Sequence, residues 1–337
     1  MKLYCGIDLH SNNHYISIID EENNRLKGKR ISNDLSQTLT ILEPYKHDLQ
    51  GIAIESTFNW YWLVDGLMDA DYSVALVNTC AVKQYEGLKH TDDQYDAYWL
   101  AHLMRLGILP TGYIYPKEKR SLRDLLRKRM QLVQCRTSHV ISAQAQVWRS
   151  TGIRLKSQYI KKGTDDLLSG ITDQNLLLSI QSNLTVIQLL NAQIDTIETA
   201  VQSQCKDRVE YTQLKTVFGI GDILSQTITL ETGDISRFQK VGNYTSYCRC
   251  VDSKKTSNGK KKGSGNKKSG NKYLAWAYME AANFAIRFYE PANRFYQRKC
   301  SKRNAIVARK SLAHKLARAS YYVMKDHVPF KSERLFS

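Results

Sequence analysis

Short apolar segments alternate with segments of helical pattern in the first third of the chain. Five segments rich in apolar and β-branched residues predict strands, at residues 2–8, 14–19, 25–31, 51–55 and 72–77. Helices are predicted between and after them, at residues 35–45, 58–69, 81–87 and 91–106. In the last of these, Thr91 is the expected N-cap and Gly107 the expected end. This order of elements predicts a mixed α/β domain over residues 1–116.

The middle of the chain has a long helical pattern. One helix is predicted over 119–148 and a second over 175–205, where apolar residues are spaced by three and four over the whole length. We therefore expect a helical hairpin or coiled-coil region over 117–206. Two ordinary core helices and a dimerising coil fit this pattern equally well.

A third domain, mainly helical, is expected over residues 207–337. Its predicted helices lie at 222–230, from Tyr273 onward and at 304–325, and a loop is expected at 253–272. The fold class predicted for the whole chain is thus α/β followed by α.

The composition adds a large positive charge to this picture. The 337 residues include 49 Lys and Arg but only 32 Asp and Glu, which gives a net charge of +17. No apolar run reaches the ~18–20 residues that cross a bilayer, and Asp8 precedes any apolar core of a secretory signal. Seven scattered cysteines are typical of reduced thiols. We expect no membrane association, and a cytoplasmic protein, nucleoid-associated when it acts, whose partner is a polyanion.

The positive charge is concentrated in the C-terminal third. No acid occurs from Ser253 to Met279 or from Pro291 to Lys325. The first of these stretches is rich in Gly, Ser and Asn and poor in apolar residues, which favours a phosphate-binding segment over an ordinary solvated surface. The candidate nucleic-acid-binding residues in it are Lys254, Lys255, Lys260, Lys261, Lys262, Lys267, Lys268 and Lys272.

A short glycine motif precedes the helix predicted at 222–230. Gly219-Ile220-Gly221 resembles the hairpin of proteins that bind the DNA backbone non-specifically, in which amides at a helix N-terminus face a phosphate. Gly219 and Gly221 are therefore further candidates for nucleic-acid binding.

Four carboxylates mark a candidate metal site. Asp8 and Glu55 each end a predicted strand, and Asp93 and Asp96 are three apart on a predicted helix and so share a face. An RNase H-like fold uses such a set to hold two divalent ions, and Mg²⁺ or Mn²⁺ prefers carboxylate oxygens. Asp92 and Asp96 also share a face, so the pattern leaves either Asp92 or Asp93 as the third ligand.

Two sets of motifs resemble those of one known family. Gly6-Ile7-Asp8, Glu55 and residues 89–97 (KHTDDQYDA) look like the DEDD signature of the insertion-sequence family one-ten transposases. In the C-terminal part, the Gly219–Gly221 segment, residues 231–238 (ETGDISRF) and residues 268–274 (KSGNKYL) are similar to that family too. The resemblance covers nearly the whole chain.

The resemblance implies a DNA recombinase built from an RNase H-like (RuvC-like) domain, a coiled-coil region and a C-terminal serine-bearing transposase domain. In this family the carboxylates, with metal, cooperate with a serine that attacks DNA and holds it covalently. A structured non-coding RNA from the element, a bridge RNA, directs an oligomer (a dimer or tetramer) to donor and target DNA. Carried over, the catalytic and metal-binding acids are Asp8, Glu55, Asp93 and Asp96, with Mg²⁺ or Mn²⁺.

Ser257 is the best match to the family's catalytic serine. The family usually has a Ser-Gly pair there, whereas Asn258 separates Ser257 from Gly259 here. A serine hydroxyl is a weak nucleophile that needs a base or a metal, and the nearby lysines would hold the phosphate under attack. The rival serines are Ser253, Ser264 and Ser269.

Two other functions remain open on the sequence. A structure-selective endonuclease of the Holliday-junction type would use the same four acids with water as the nucleophile, and would not need Ser257. A basic protein that packages RNA or DNA would need neither Ser257 nor Asp8. The target sequence, the guide sequence and the oligomer number cannot be read from the protein chain.

Overall fold

The protein forms two compact units, Met1–Lys117 and Glu118–Ser337. The computed structural model describes residues 1–79, 81–82, 92–163, 171–252, 255–263, 269–332 and 335. No described helix combines the length and the apolar character that crossing a bilayer requires. Each unit has a hydrophobic core of its own.

A mixed five-stranded sheet is the centre of the N-terminal unit. Its strands are β1 (Leu3–Leu9), β2 (Asn13–Ile19), β3 (Arg25–Ser32), β4 (Leu49–Glu55) and β5 (Val74–Val77), in the spatial order β3-β2-β1-β4-β5. β1 is antiparallel to β2 and parallel to β4. Nearly every residue of β1 is buried, because the strand is central and covered on both faces. β3 is an exposed edge strand rich in Lys and Arg, a composition that discourages pairing with other chains.

The described part of this unit has three α-helices beside the sheet, α1 (Leu35–Leu42), α2 (Tyr61–Asp69) and α3 (Asp93–Arg105). The expected N-cap of α3 was wrong by one residue. The Asp92 side chain accepts a hydrogen bond from the Tyr95 amide at 2.8 Å and caps the helix. The expected end at Gly107 is confirmed, because this glycine has the positive φ (68°) that follows many helices. Thr91 itself, and most of the helix predicted at 81–87, lie outside the described residues.

The described part of the second unit is mainly helical, as expected. Its helices are α4 (Lys117–Thr151), α5 (Ser157–Lys162), α6 (Gln174–Cys205), α7 (Val209–Leu214), α8 (Asp222–Thr232), α9 (Val241–Tyr247), α10 (Lys272–Phe288), α11 (Glu290–Cys300) and α12 (Ala305–Asp326). α10 and α12 pack against each other, with α8, α9 and α11 around them. Three buried tyrosines, Tyr244, Tyr278 and Tyr321, are among the largest side chains of this core.

The two long helices α4 and α6 pack as an antiparallel pair. Arg129 of α4 contacts Glu198 of α6 at 2.6 Å, and Gln146 of α4 contacts Ser179 of α6 at 2.6 Å. Residues later in α4 therefore contact residues earlier in α6, which is the antiparallel arrangement. Ile187 and its neighbours in the apolar seam of α6 are buried in this contact.

The loop expected at 253–272 contains a β-hairpin. Strands β6 (Lys255–Ser257) and β7 (Lys260–Gly263) pair antiparallel across the dipeptide Asn258-Gly259. Both turn residues have positive φ, 50° and 70°, and Asn-Gly is the dipeptide that adopts such a turn most readily. The prediction of a loop was therefore wrong for this part, because the lysine and glycine content obscured a local turn signal.

β1 and α3 approach each other closely at Gly6. A Cβ atom added there would lie 2.0 Å from the carbonyl oxygen of Ala97 and 2.7 Å from the amide nitrogen of Ala101. Both atoms belong to the backbone and cannot rotate away, so only glycine fits.

We expect Gly6→Ala to lower the free energy of unfolding by about 3 kcal/mol, through overpacking. The measurement is thermal unfolding of the full chain followed by circular dichroism. Gly112→Ala is the matched control, because its added Cβ would lie at an ordinary 3.5 Å from its nearest neighbour. Equal stability of the two variants would contradict the close contact.

Candidate active site

Two carboxylates meet at the carboxyl ends of the parallel strands β1 and β4. Asp8 is next to last in β1 and Glu55 is last in β4. The register pairs Ile7 with Ile54 immediately before them. The two acidic side chains are hydrogen-bonded to each other, and Asp8 is only 3% exposed. The sheet topology therefore brings together two acids that are 47 positions apart in sequence.

The first turn of α3 carries the other two acids, Asp93 and Asp96. Asp96 lines a cleft of about 310 Å³ together with Asp8 and Glu55, and Trp99 forms part of its wall. Three of the four acids thus face one cleft, and the fourth is connected to it through a histidine.

His10 connects Asp8 to Asp93. Its Nε2 atom lies 3.1 Å from Asp8 Oδ2 and 3.3 Å from Asp93 Oδ2. One potential ligand atom from each of these three residues lies within 4.8 Å of the others, a spacing at which they could share a metal ion. The sequence analysis missed His10. The available signal was its position two residues after Asp8, because alternate residues of an extended chain share a face.

Arg30 is a second residue that the sequence analysis missed. Its Nη2 atom lies 2.6 Å from Asp93 Oδ2. The sheet register pairs Asp8 with Tyr15 and Tyr15 with Arg30, so these three residues form one row across β1, β2 and β3. Nothing in the sequence distinguishes Arg30 from the other cations of the exposed edge strand.

The surroundings change the acidity of three of these carboxyl groups in different directions. Burial, together with the hydrogen bond that protonated Asp8 donates to Glu55, raises the pKa of Asp8 to about 7. Burial and the negative charges of Asp8 and Asp93 raise the pKa of Asp96. Burial opposes the charge of Asp93 as well, but His10 and Arg30 outweigh it and lower the pKa of that carboxyl. When the four acids are ionised, their negative charge is thus greater than the positive charge that His10 and Arg30 can supply.

The structure gives Asp92 and Asp93 different surroundings. Asp92 Oδ1 is occupied by the Tyr95 amide as the cap of α3, whereas Asp93 contacts both His10 and Arg30. This geometry favours Asp93 as the third acid of the set.

Ser257 is the last residue of β6, where it is exposed and pairs with Lys260 across the hairpin. Lys260 and Lys262 are exposed on β7, and Lys272 begins α10. For Lys255 and Lys261 the structure describes the backbone strand only. Lys254, Lys267, Lys268 and two of the rival serines, Ser253 and Ser264, lie outside the described residues.

The segment that follows the hairpin is attached to the end of α9. The Arg249 guanidinium donates hydrogen bonds to the carbonyl oxygens of Ser269 (3.1 Å) and Gly270 (2.8 Å). The Asn271 amide donates to the Tyr247 carbonyl at 2.6 Å. Gly270 has φ 88°, and a Cβ added there would lie 2.5 Å from the Tyr247 oxygen, so the attachment requires glycine.

Glu231 connects the two C-terminal motif segments, ETGDISRF and KSGNKYL. Its carboxylate, 3% exposed, accepts two hydrogen bonds from Arg127 at 2.6 and 2.7 Å and one from the Asn271 side-chain amide at 2.7 Å. The Asn271 side-chain oxygen in turn accepts hydrogen bonds from the amides of Tyr273 and Leu274, and so caps α10. Burial disfavours the charged form of Arg127, but the hydrogen bonds from its guanidinium to Glu231 outweigh this effect and raise its pKa. Arg127 therefore stays protonated.

The two glycines of the Gly-Ile-Gly motif have different surroundings. A Cβ added to Gly219 would lie 2.2 Å from the Ala281 carbonyl oxygen of α10, so this glycine permits close packing of the chain on that helix. Gly221 precedes α8 and has open space around it. Only Gly221 is thus placed where a phosphate could approach.

Comparison with protein families gives two matches. Residues 5–148 match a transposase family model of the IS110 DEDD type, and residues 211–297 match the model described as the transposase IS116/IS110/IS902 family. The two matches follow the order of the two motif sets and together cover about two thirds of the chain. The chain belongs to the IS110 transposase family. A search of curated proteins gives no match.

Family membership makes the chain a DNA transposase/recombinase, and the DEDD type implies dependence on a divalent metal ion. The acids of the transposase suit such an ion. Asp8 Oδ2 is buried and forms no hydrogen bond, although His10 lies 3.1 Å away. An unsatisfied buried carboxylate oxygen beside Glu55 and Asp96 is the kind of donor that a hard divalent cation prefers.

The raised pKa of Asp8 predicts a pH-dependent cost to stability. The folded protein holds this proton up to about pH 7, whereas the unfolded chain loses it near pH ~4. The folded state therefore binds more protons between these values, and this contribution to stability decreases as the pH rises through that window.

We expect Asp8→Asn to be more stable than the unmodified transposase at pH 8 in the presence of EDTA, by up to about 4 kcal/mol. The advantage should shrink as the pH is lowered to 5. Thermal unfolding at the two pH values measures it. Asp92→Asn is the control, because Asn caps a helix as well as Asp does. An advantage of Asp8→Asn that is the same at both pH values would contradict this assignment.

Proposed function

We propose that this transposase is an RNA-guided recombinase that moves an insertion sequence by cutting and rejoining DNA strands. In this proposal a metal-binding carboxylate site cooperates with a serine nucleophile that forms a covalent DNA intermediate. The observation that carries the proposal is the convergence of Asp8, Glu55 and Asp96 on one cleft with Asp93 beside it. Two strands and a helix, distant in sequence, supply these four acids.

The N-terminal unit would act as an RNase H-like catalytic domain over residues 1–116. The strand order β3-β2-β1-β4-β5 supports this, with an antiparallel meander of three strands followed by two parallel ones. The pair α4 and α6 would form the coiled-coil region of residues 117–206, and residues 207–337 the serine-bearing domain.

Asp8, Glu55, Asp93 and Asp96 would hold Mg²⁺ or Mn²⁺, and such an ion would supply activation of the attacking oxygen and stabilisation of the leaving oxygen of a phosphodiester. Asp8, whose pKa is raised to about 7, would give up its proton as a metal ligand, and a bound cation would offset the burial and repulsion that raise the pKa of Asp96. His10 and Arg30 would hold Asp93 in place beside the cleft.

Ser257 would be the nucleophile. Its Oγ would form a bond to the phosphorus of a DNA strand, while the bond from phosphorus to one deoxyribose oxygen breaks. The serine proton would leave to a base or to water, and the departing oxygen would take up a proton. The bond between serine and DNA would itself be a phosphodiester. A hydroxyl of a second strand could therefore displace the serine and rejoin the DNA without another source of energy.

The position of Ser257 in the hairpin supports this role. The serine is exposed at the turn of a short, lysine-rich hairpin, and the Arg249 contacts fix the chain that follows. Exposed lysines beside it, Lys260 and Lys262, would hold phosphates and offset charge in the transition state. Lys272 and the open amide end at Gly221 would add contacts to the DNA backbone.

The proposed partners are donor and target DNA, a structured non-coding guide RNA and further copies of the same chain, as a dimer or tetramer. The sequence contains no recognised base-reading module, which is consistent with specificity that comes from base pairing with a guide. The proposed location is the cytoplasm, on the nucleoid during the reaction.

An alternative function is a metal-dependent, structure-selective endonuclease of the Holliday-junction type. The observation that favours it is that the acid cleft lies entirely within the N-terminal unit. A water molecule could serve as the nucleophile there without any residue of the second unit.

We expect Ser257→Ala to abolish the covalent protein–DNA adduct, because the attacking oxygen is removed. The measurement uses labelled DNA carrying the ends of the element, with guide RNA and Mg²⁺, and separates adducts on denaturing gels. Ser253→Ala, Ser264→Ala and Ser269→Ala are the controls and should keep forming the adduct. Asp8→Asn should lose both the adduct and strand cleavage.

The outcomes separate the two functions. Cleavage that continues undiminished in Ser257→Ala, with no adduct in the unmodified protein, would favour the endonuclease. An adduct that persists in Ser257→Ala but disappears in one of the control variants would transfer the role of nucleophile to that serine.

A further inference from the structure

A second cleft lies in the C-terminal unit, separate from the acidic one. It has a volume of about 550 Å³ and lies between the first half of α4 and the first turn of α10. Side chains of both helices line it, with Arg127, Lys128 and Gln131 from α4 and Lys272, Tyr273 and Trp276 from α10. Its volume is in the range of sites that bind small organic ligands of the size of a nucleotide.

The charge of this cleft is positive. Three cations line it, against the single acid Asp124. The buried Glu231 neutralises Arg127, and Asp124 lies 3.6 Å from the same guanidinium. Lys128 donates to the neutral Gln131 at 3.1 Å, and neither it nor Lys272 forms an ion pair with any carboxylate in the described part of the chain. Two ammonium groups therefore remain available for an anionic ligand.

Aromatic rings form the other side of the cleft. Tyr273 and Trp276 are three positions apart on α10 and so lie on one face of the helix, and each is partly exposed. Arg127 lies 4.6 Å and Lys272 5.1 Å from the centre of the Tyr273 ring. Partly exposed aromatic rings in a positively charged groove are typical of sites where unpaired bases stack.

The network behind the cleft holds these groups in position. Glu231 binds Arg127 on one side and Asn271 on the other, and Asn271 caps the helix that begins with Lys272. The orientation of the cleft walls thus depends on the buried pair Glu231 and Asn271 and on their hydrogen bonds, which gives a preformed site. The N-terminal end of α10 adds partial positive charge at the mouth.

We propose that this cleft binds one unpaired nucleotide, with its base against Tyr273 and Trp276 and its phosphate on Lys128 and Lys272. A duplex presents its bases stacked and paired, so the ligand must be a single-stranded or looped segment. Such a nucleotide can come from an RNA loop or from an unpaired DNA strand. The inference rests on the proposed function only in that the ligand is a nucleic acid, since neither Ser257 nor the metal site takes part.

Photocrosslinking of the full-length protein tests the site directly. The probes are single-stranded 20-mers containing 5-iodouridine (RNA) or 5-iodo-2′-deoxyuridine (DNA), with a duplex of the same sequence, all in EDTA so that no cleavage occurs. We expect crosslinks from at least one single-stranded probe in the tryptic peptide that begins at Tyr273, and none from the duplex. Crosslinking by RNA only identifies an RNA ligand, and crosslinking by DNA only identifies an unpaired DNA strand.

Binding measurements with variants test the contribution of the cleft. Tyr273→Ala should weaken binding of the crosslinking strand at least about tenfold, because a stacking partner is lost. Lys128→Ala, an exposed position whose change leaves the fold intact, should weaken it as well. Lys161→Ala is the matched control, because it removes one exposed lysine of α5 outside the cleft.

Two results would overturn the proposal. One is crosslinking confined to other peptides. The other is a loss of affinity in Lys128→Ala no greater than that in Lys161→Ala. Crosslinking and binding are both measured without strand transfer, so they would not change if Ser257 proved not to be the nucleophile. Conversely, absence of nucleotide binding in the cleft would not change the result of the adduct assay with Ser257→Ala.

Discussion

The contact between β1 and α3 at Gly6 is the constraint on which the arrangement of the four acids depends. The strand and the helix approach until a side-chain carbon between them would lie 2.0 Å from the Ala97 carbonyl oxygen. Asp8 follows Gly6 by two residues, and Asp93 and Asp96 occupy the turn of α3 just before Ala97. A larger residue at position 6 would move the helix away from the sheet and would separate the acids of the strand from those of the helix.

This packing places acids close together in a buried position, which is electrostatically unfavourable in the metal-free protein. Burial disfavours the charged form of Asp8, and the neighbouring acids add repulsion. His10 and Arg30 offset part of this repulsion on the side of Asp93. Asp8 Oδ2 still lacks a hydrogen bond. Such strain is expected at a site arranged for a cation rather than for stability of the metal-free protein.

The C-terminal unit uses a buried charge in a different way. Glu231 is as buried as Asp8, but it is fully hydrogen-bonded to Arg127 and Asn271. This network fixes the start of α10, and the contacts of Arg249 fix the chain between the hairpin and that helix. The two C-terminal motif segments therefore have an architectural role, which is to hold the chain that follows the lysine-rich hairpin. Asp8 thus keeps one buried oxygen without a hydrogen bond, whereas the hydrogen bonds of Glu231 compensate for the burial of its charge.

The sequence by itself predicted the five strands of the N-terminal sheet, the helices α1 to α3, the longer helices of the second unit and the family, because apolar spacing and contiguous motifs are local properties of the chain. It also placed Asp8 and Glu55 at strand ends, and the pair Asp93 and Asp96 on one helix. It did not identify His10, Arg30 or the Glu231 network, because each of these depends on partners far away in sequence. The Asn258-Gly259 turn was readable, but the surrounding lysines and glycines suggested a loop instead. Only the tertiary structure decided which acids share a cleft and which cations face them, since strand register and helix packing set the distances between side chains that the linear order leaves undetermined.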